Sequence, residues 1–91
     1  MKEFVFKILD KNGLHARPAG AISAKAKEFS SKITVYSGEK EADAKRLLSL
    51  MSLGAVYGKE LRFIIVGEDE SMATTEMKNI CTEKLGAENE L

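Results

Sequence analysis

Tryptophan is absent, and cysteine, histidine and proline each occur once in 91 residues. The lone cysteine, Cys81, can close no internal disulfide, so the core must hold the fold, and a reducing, cytoplasmic setting is expected. Cys81 and His15 together fall short of the ligand set of a zinc site, so neither a metal centre nor a bound cofactor is expected. Excess charge of either sign is also missing, because fourteen basic and fourteen acidic residues cancel. No global field is then available to attract nucleic acid or an anionic membrane, and any anion site must be local. No apolar stretch reaches the ~20 residues of a membrane span. The opening MKEFVFKILD mixes charge with a short apolar run, so neither a signal peptide nor membrane insertion is expected. Repeats, low-complexity tracts and Gly/Ser linkers are lacking as well. The length suits one domain over residues 1–91, large enough for a single core.

What is present is concentrated in one stretch. Gly13 to Gly20 reads GLHARPAG and holds both the sole histidine and the sole proline. Asn12-Gly13 is a turn dipeptide, and Pro18 is tolerated in the first turn of a helix, so the pattern predicts a helix from Ala16 or Arg17 with His15 at or next to its N-cap. A helix start exposes backbone N–H groups that Ser, Thr, Asp or Asn usually satisfies. Here an imidazole stands in that place. The amides of Ala16 and Arg17, the positive end of the helix dipole and the Arg17 guanidinium would all converge on an anion beside His15. A neutral imidazole has one nitrogen lone pair, a nucleophile towards phosphorus, so His15 can accept a phosphoryl group and release it again. Arg17 would stabilise charge on the equatorial oxygens in both transfers. No general base is placed by spacing next to His15, which argues against a hydrolytic enzyme.

Elsewhere the periodicities alternate. Phe4, Phe6 and Ile8 share one face of a strand, and after the turn Ala19, Ile22, Ala26 and Phe29 form the core stripe of the helix. Its outer side carries Ala16, Gly20, Ser23, Ala24 and Lys27, small enough to let another protein approach the backbone beside His15. Lys32 to Ser37 predicts a second strand, Ser37-Gly38 a hairpin turn, and the polar Glu39 to Asp43 an edge strand. In the short helix that follows, Leu50 and Leu53 fall on one side and Leu47, Leu48 and Met51 on another; two turns cannot bury both, so the second group is an exposed apolar patch of the kind that marks an interaction site. Leu61 to Val66 is the most apolar run and predicts an interior strand with Leu61, Phe63 and Ile65 inward. Asp69 is the expected cap of a last helix whose buried stripe is Ala73, Met77, Ile80, Cys81 and Leu85, ended by Gly86. The order strand, helix, strand, strand, helix, strand, helix implies an α+β fold with helices on one face of an antiparallel sheet.

GLHARPAG resembles the active-site motif of the histidine-containing phosphocarrier (HPr) family of the bacterial phosphoenolpyruvate:sugar phosphotransferase system. A second stretch, Ala44 to Gly54 (AKRLLSLMSLG), resembles that family's other signature, and the likeness runs from about Phe4 to Leu85. The resemblance implies an open-faced β-sandwich, a four-stranded sheet of order 1-4-2-3 covered by three helices. It implies a monomeric phosphoryl carrier, not an enzyme, that takes phosphate from enzyme I on His15 as pros-phosphohistidine and passes it to sugar-specific permease components. Arg17, the Ala16 amide and Pro18 would complete the site, and Ala16, Gly20, Lys27, Leu47, Leu48 and Met51 would dock the partners. The alternative is a regulator, for example a nitrogen-branch carrier, that binds target enzymes according to its phosphorylation state. The chain departs from the family at two points. Arg46 stands where many relatives carry a regulatory serine, so seryl control at that position is lost. Ala24 stands where a lysine is frequent, a loss that Lys25 and Lys27 would offset if they reach the same rim.

Overall fold

The computed structural model describes residues 1–86. The elements follow the order β1 (Lys2–Lys7), α1 (Ala16–Ala26), β2 (Lys32–Ser37), β3 (Lys40–Asp43), α2 (Leu47–Met51), β4 (Glu60–Val66) and α3 (Glu70–Leu85). Each boundary lies within a few residues of the one expected, and β3 starts one residue late because Gly38 and Glu39 form the hairpin loop, with Gly38 at φ 60°. The sheet order is β1-β4-β2-β3, antiparallel throughout, the α+β arrangement that the element order and the family likeness implied.

Alternation along each strand separates the two faces of this sheet. One row of partners, Phe4, Phe63, Val35 and Ala42, crosses all four strands and is buried beneath the helices, with the Phe4 and Phe63 rings stacked at 4.6 Å. Ile33, Leu61 and Ile65 extend it, and Ile22, Leu50, Met77, Cys81 and Leu85 close it from the helix side. On the open face the next row runs Val5, Arg62, Tyr36 and Glu41. There the Arg62 guanidinium lies 5.0 Å from the Tyr36 ring centre and 3.4 Å from Glu3, so long polar side chains cover a surface that no helix protects. The expected stripe of α3 is buried apart from Ile80, which is partly covered.

Helix α1 corrects two expectations. Ser23, assigned to the outer face, is buried, and its hydroxyl has no partner. Lys25, whose help at the docking rim depended on its reaching it, instead pairs with Glu28 at 3.3 Å and reaches Glu76 of α3 at 3.7 Å. Both follow from packing: α1 is flanked by α3 on the Lys25 side and contacts α2 as well, which narrows the free strip to Ala16, Gly20, Ala24 and Lys27.

A third correction concerns Asp69. It occupies the N-cap position of α3, but its side chain makes no cap hydrogen bond. The carboxylate instead accepts from the Ser30 amide at 2.9 Å, the Ser31 amide at 3.0 Å and the Ser31 hydroxyl. Those donors, the hydroxyl foremost, hold its pKa below the ordinary carboxylate value. Glu70 next to it accepts from the chain's amino terminus at 2.7 Å and from the Gly67 amide at 3.0 Å, and its pKa is lowered for the same kind of reason. The turn before β2 is thereby pinned to the start of α3.

Candidate phosphoryl site

The loop from β1 to α1 is laced to the α2–β4 loop and to the end of α3 before it reaches His15. Ile8 N–H donates to the Lys59 carbonyl, Gly58 N–H to that of Ile8, and Leu14 N–H to that of Ala55 at 3.0 Å. Gly13 permits the last contact: its φ is 69°, and a Cβ there would lie 2.7 Å from the Ala55 oxygen. On the other side, Leu9 and Asp10 N–H groups donate to the Leu85 carbonyl at 2.8 and 3.2 Å, which ties the loop to the end of α3. A short chain segment held at both flanks gives His15 a fixed position.

His15 is the N-cap of α1, with extended backbone (φ −93°, ψ −172°) and no capping hydrogen bond from its ring. Its own N–H donates to Gly13 and its carbonyl accepts from Ala19, both at 3.0 Å. Pro18 has no N–H to satisfy. That leaves the amides of Ala16 and Arg17, for which the described residues provide no acceptor, and no acidic side chain stands in the first turn. Arg17 is exposed and forms no ion pair among the described residues. Two oriented donors and a guanidinium therefore surround the partly buried imidazole, the arrangement expected of an oxyanion site.

His15, Arg17 and Pro18 line a cleft of about 350 Å³ together with Asp10, Asn12, Glu83 and Lys84. The last four were not among the site residues expected from sequence. Asp10 and Asn12 lie in the turn just before the motif, where Asp10 accepts from the Asn12 amide at 2.8 Å. Glu83 and Lys84 come from the far end of the chain, and no local signal points to them. Carboxylates thus do stand in the cleft, although spacing places none beside His15.

The apolar patch is where the helical wheel puts it. Leu50 and Leu53 are buried, whereas Leu48 is 79% exposed and Leu47 and Met51 are 39% and 38% exposed. Since α2 packs against α1, these three side chains and the strip Ala16, Gly20 and Lys27 belong to two neighbouring helices. Arg46 is the exposed N-cap of α2 and supplies no capping bond. Ser49 accepts from the Asp43 amide at 2.9 Å and Ser52 donates to the Ser49 carbonyl at 2.6 Å, so both hydroxyls are used locally. Cys81 is buried, and desolvation pushes its thiol up to about 12, which removes it as a nucleophile. Among the described residues no three His, Cys, Asp or Glu side chains form a metal-binding group, and no helix is long and apolar enough to cross a membrane.

The fold and this site define a class: a small α+β protein with its one histidine at the start of a helix that no side chain caps. Residues 2–83 match the family model described as the PTS HPr component phosphorylation site. The chain is 39% identical over 83 residues to the phosphocarrier protein HPr of Lysinibacillus sphaericus, covering 91% of this chain and 94% of that one. It is 42% identical over 79 residues to the HPr of Borreliella burgdorferi, covering 87% and 90%. A solved structure of the histidine-containing phosphocarrier protein from Mycoplasma superposes with a TM-score of 0.91 at 31% identity, over 97% of this chain and all of that one. The chain belongs to the HPr family, the phosphoryl carriers of the phosphotransferase system, and is a carrier, not an enzyme.

Proposed function

We propose that His15 carries the phosphoryl group in this relay. The Nδ1 lone pair forms the new N–P bond while the bond from phosphorus to the donor breaks, its electron pair leaving with the donor; the second transfer runs the same exchange towards the acceptor. Arg17 and the Ala16 amide hold the phosphoryl oxygens, and Pro18 starts the helix without adding a donor that would need an acceptor. The observation that carries this reading is the pair of backbone amides, Ala16 and Arg17, left without an acceptor beside the only imidazole.

The donor in this reading is enzyme I and the acceptors are sugar-specific permease components. Both dock on Ala16, Gly20, Lys27, Leu47, Leu48 and Met51, an apolar patch beside a strip of small residues and one exposed lysine. A surface that must serve donor and acceptor in turn cannot be occluded, so the working form is a monomer, one domain over residues 1–91, in the cytoplasm. Arg46 keeps a positive charge beside the patch where seryl phosphorylation would place a negative one.

Incubation with phosphoenolpyruvate and catalytic enzyme I tests the assignment. The chain takes up one acid-labile, base-stable phosphate, and His15→Ala takes up none. Equivalent labelling of His15→Ala removes His15 from the relay.

A further inference from the structure

Lysine in the last turn of a helix usually does no more than complement the dipole, and Lys84 stands in the last turn of α3. The hydrogen bonds from Leu9 and Asp10 to the Leu85 carbonyl give it a second setting, because they seat that turn against the loop that carries His15. Lys84 and Glu83 consequently line the same cleft as His15 and Arg17. The Lys84 ammonium lies 3.5 Å from the Glu83 carboxylate, with the two side chains 41% and 65% exposed. An exposed pair between adjacent residues holds weakly and opens readily. Among the described residues, the charged groups lining the cleft balance, Arg17 and Lys84 against Asp10 and Glu83. A phosphoryl group on His15 would upset that balance by up to two negative charges, and Arg17 can answer only part of the excess.

We propose that Lys84 is a second cation for the phosphoryl group on His15, exchanged between Glu83 in the resting carrier and the phosphoryl oxygens in the charged one. This rests on His15 being the phosphoacceptor. Glu83 gives the ammonium a place to return to, so the cleft is neutral again once the phosphate has left. Lys84 and Glu83 together then set how strongly the carrier retains its phosphate.

The test equilibrates the full chain with enzyme I at a fixed ratio of phosphoenolpyruvate to pyruvate and reads the ratio of phosphorylated to free carrier from paired amide peaks in ¹H–¹⁵N spectra, at low and at high salt. Lys84→Met lowers that ratio about 3- to 10-fold at low ionic strength, and the deficit shrinks as salt screens the charges. Lys84→Arg restores the ratio, and Glu83→Gln raises it above that of the parent. A structural role for Lys84 would lower the melting temperature and leave the salt dependence of the ratio unchanged. An unchanged ratio in Lys84→Met at low salt overturns the proposal, as does an equal loss in Lys84→Arg. Either result, with His15→Ala still unlabelled, leaves the phosphoacceptor assignment standing; labelled His15→Ala sinks that assignment and this proposal with it.

Discussion

At the start of α3, carboxylates meet donors: Asp69 accepts from Ser30 and Ser31, and Glu70 from Gly67 and the amino terminus. At the start of α1, donors meet nothing: no acid stands in the first turn, and the amides of Ala16 and Arg17 have no acceptor among the described residues. The two helix starts share their backbone physics, the same exposed N–H groups and the same end of the dipole. They differ in what stands at the cap. At α3 the Asp69 carboxylate is engaged by the turn before β2 and Glu70 adds acid to the first turn, although the Ser71 and Met72 amides also lack an acceptor among the described residues. At α1 the cap is an imidazole, the first turn carries no acid, and Arg17 adds a positive charge. Exposed first-turn amides are ordinarily met by water, so what sets the start of α1 apart is the company they keep: the sole imidazole at the cap, the Arg17 guanidinium and no acid in the first turn.

Among variants that keep His15, removing the remaining charge at the open start gives the largest effect. Arg17→Ala loses transfer to and from His15 on the order of 10²-fold, while its melting temperature stays within a few degrees because the side chain is exposed. Stopped-flow transfer and thermal melting read the two effects separately.

Displacing the open start comes next. A methyl group on Gly13 meets the Ala55 oxygen and Val56 at a φ of 69°, so Gly13→Ala costs about 2–3 kcal/mol in urea unfolding. Transfer falls with it, because the loop that positions His15 must move. A stability change below about 0.5 kcal/mol would mean that the contact between the loops is unimportant.

Turning the open start into a closed one reverses the sign. His15→Asp supplies the missing cap, so unfolding free energy rises by about 0.5–2 kcal/mol while phosphoryl uptake disappears. A variant less stable than the parent would show that the amides of Ala16 and Arg17 are not short of an acceptor.

Opening the closed start gives the smallest effect and a pH signature. The folded pKa of Asp69 lies below its ordinary value of 3.8, so its contribution to stability is complete above that value and is lost as pH falls through the lower folded one. Asp69→Asn is therefore less stable than the parent at neutral pH, and the two unfolding curves converge under acid. The slope that remains in the variant belongs in part to Glu70, whose pKa is lowered by the amino terminus first and Gly67 second. Parallel pH profiles for parent and Asp69→Asn would detach Asp69 from acid unfolding.

The sequence made α2 and the strands legible because their signals are local. Leu50 and Leu53 against Leu47, Leu48 and Met51 is a matter of angle around one helix, and alternation places Phe63 inward on β4 without knowledge of its partners. The N-cap role of His15 was equally visible, since Gly13 and Pro18 bracket it within six residues. What escaped depends on distant neighbours. A helical wheel gives Ser23 and Lys25 their angles but not the approach of α2 and α3, so one proved buried and the other paired. Asp69 reads as a cap because its donors at Ser31 lie 38 residues away in the chain. Glu83 and Lys84 look like an ordinary helix end until the bonds to the Leu85 carbonyl bring them beside His15.

The claim that the open start of α1 is the phosphate site can be read at individual amides. In ¹H–¹⁵N spectra recorded with and without enzyme I and phosphoenolpyruvate, the account predicts large downfield shifts for Ala16 and Arg17, as their N–H groups gain phosphoryl acceptors, and little change in the first turn of α3. Unmoved Ala16 and Arg17 amides in a fully phosphorylated sample would contradict it.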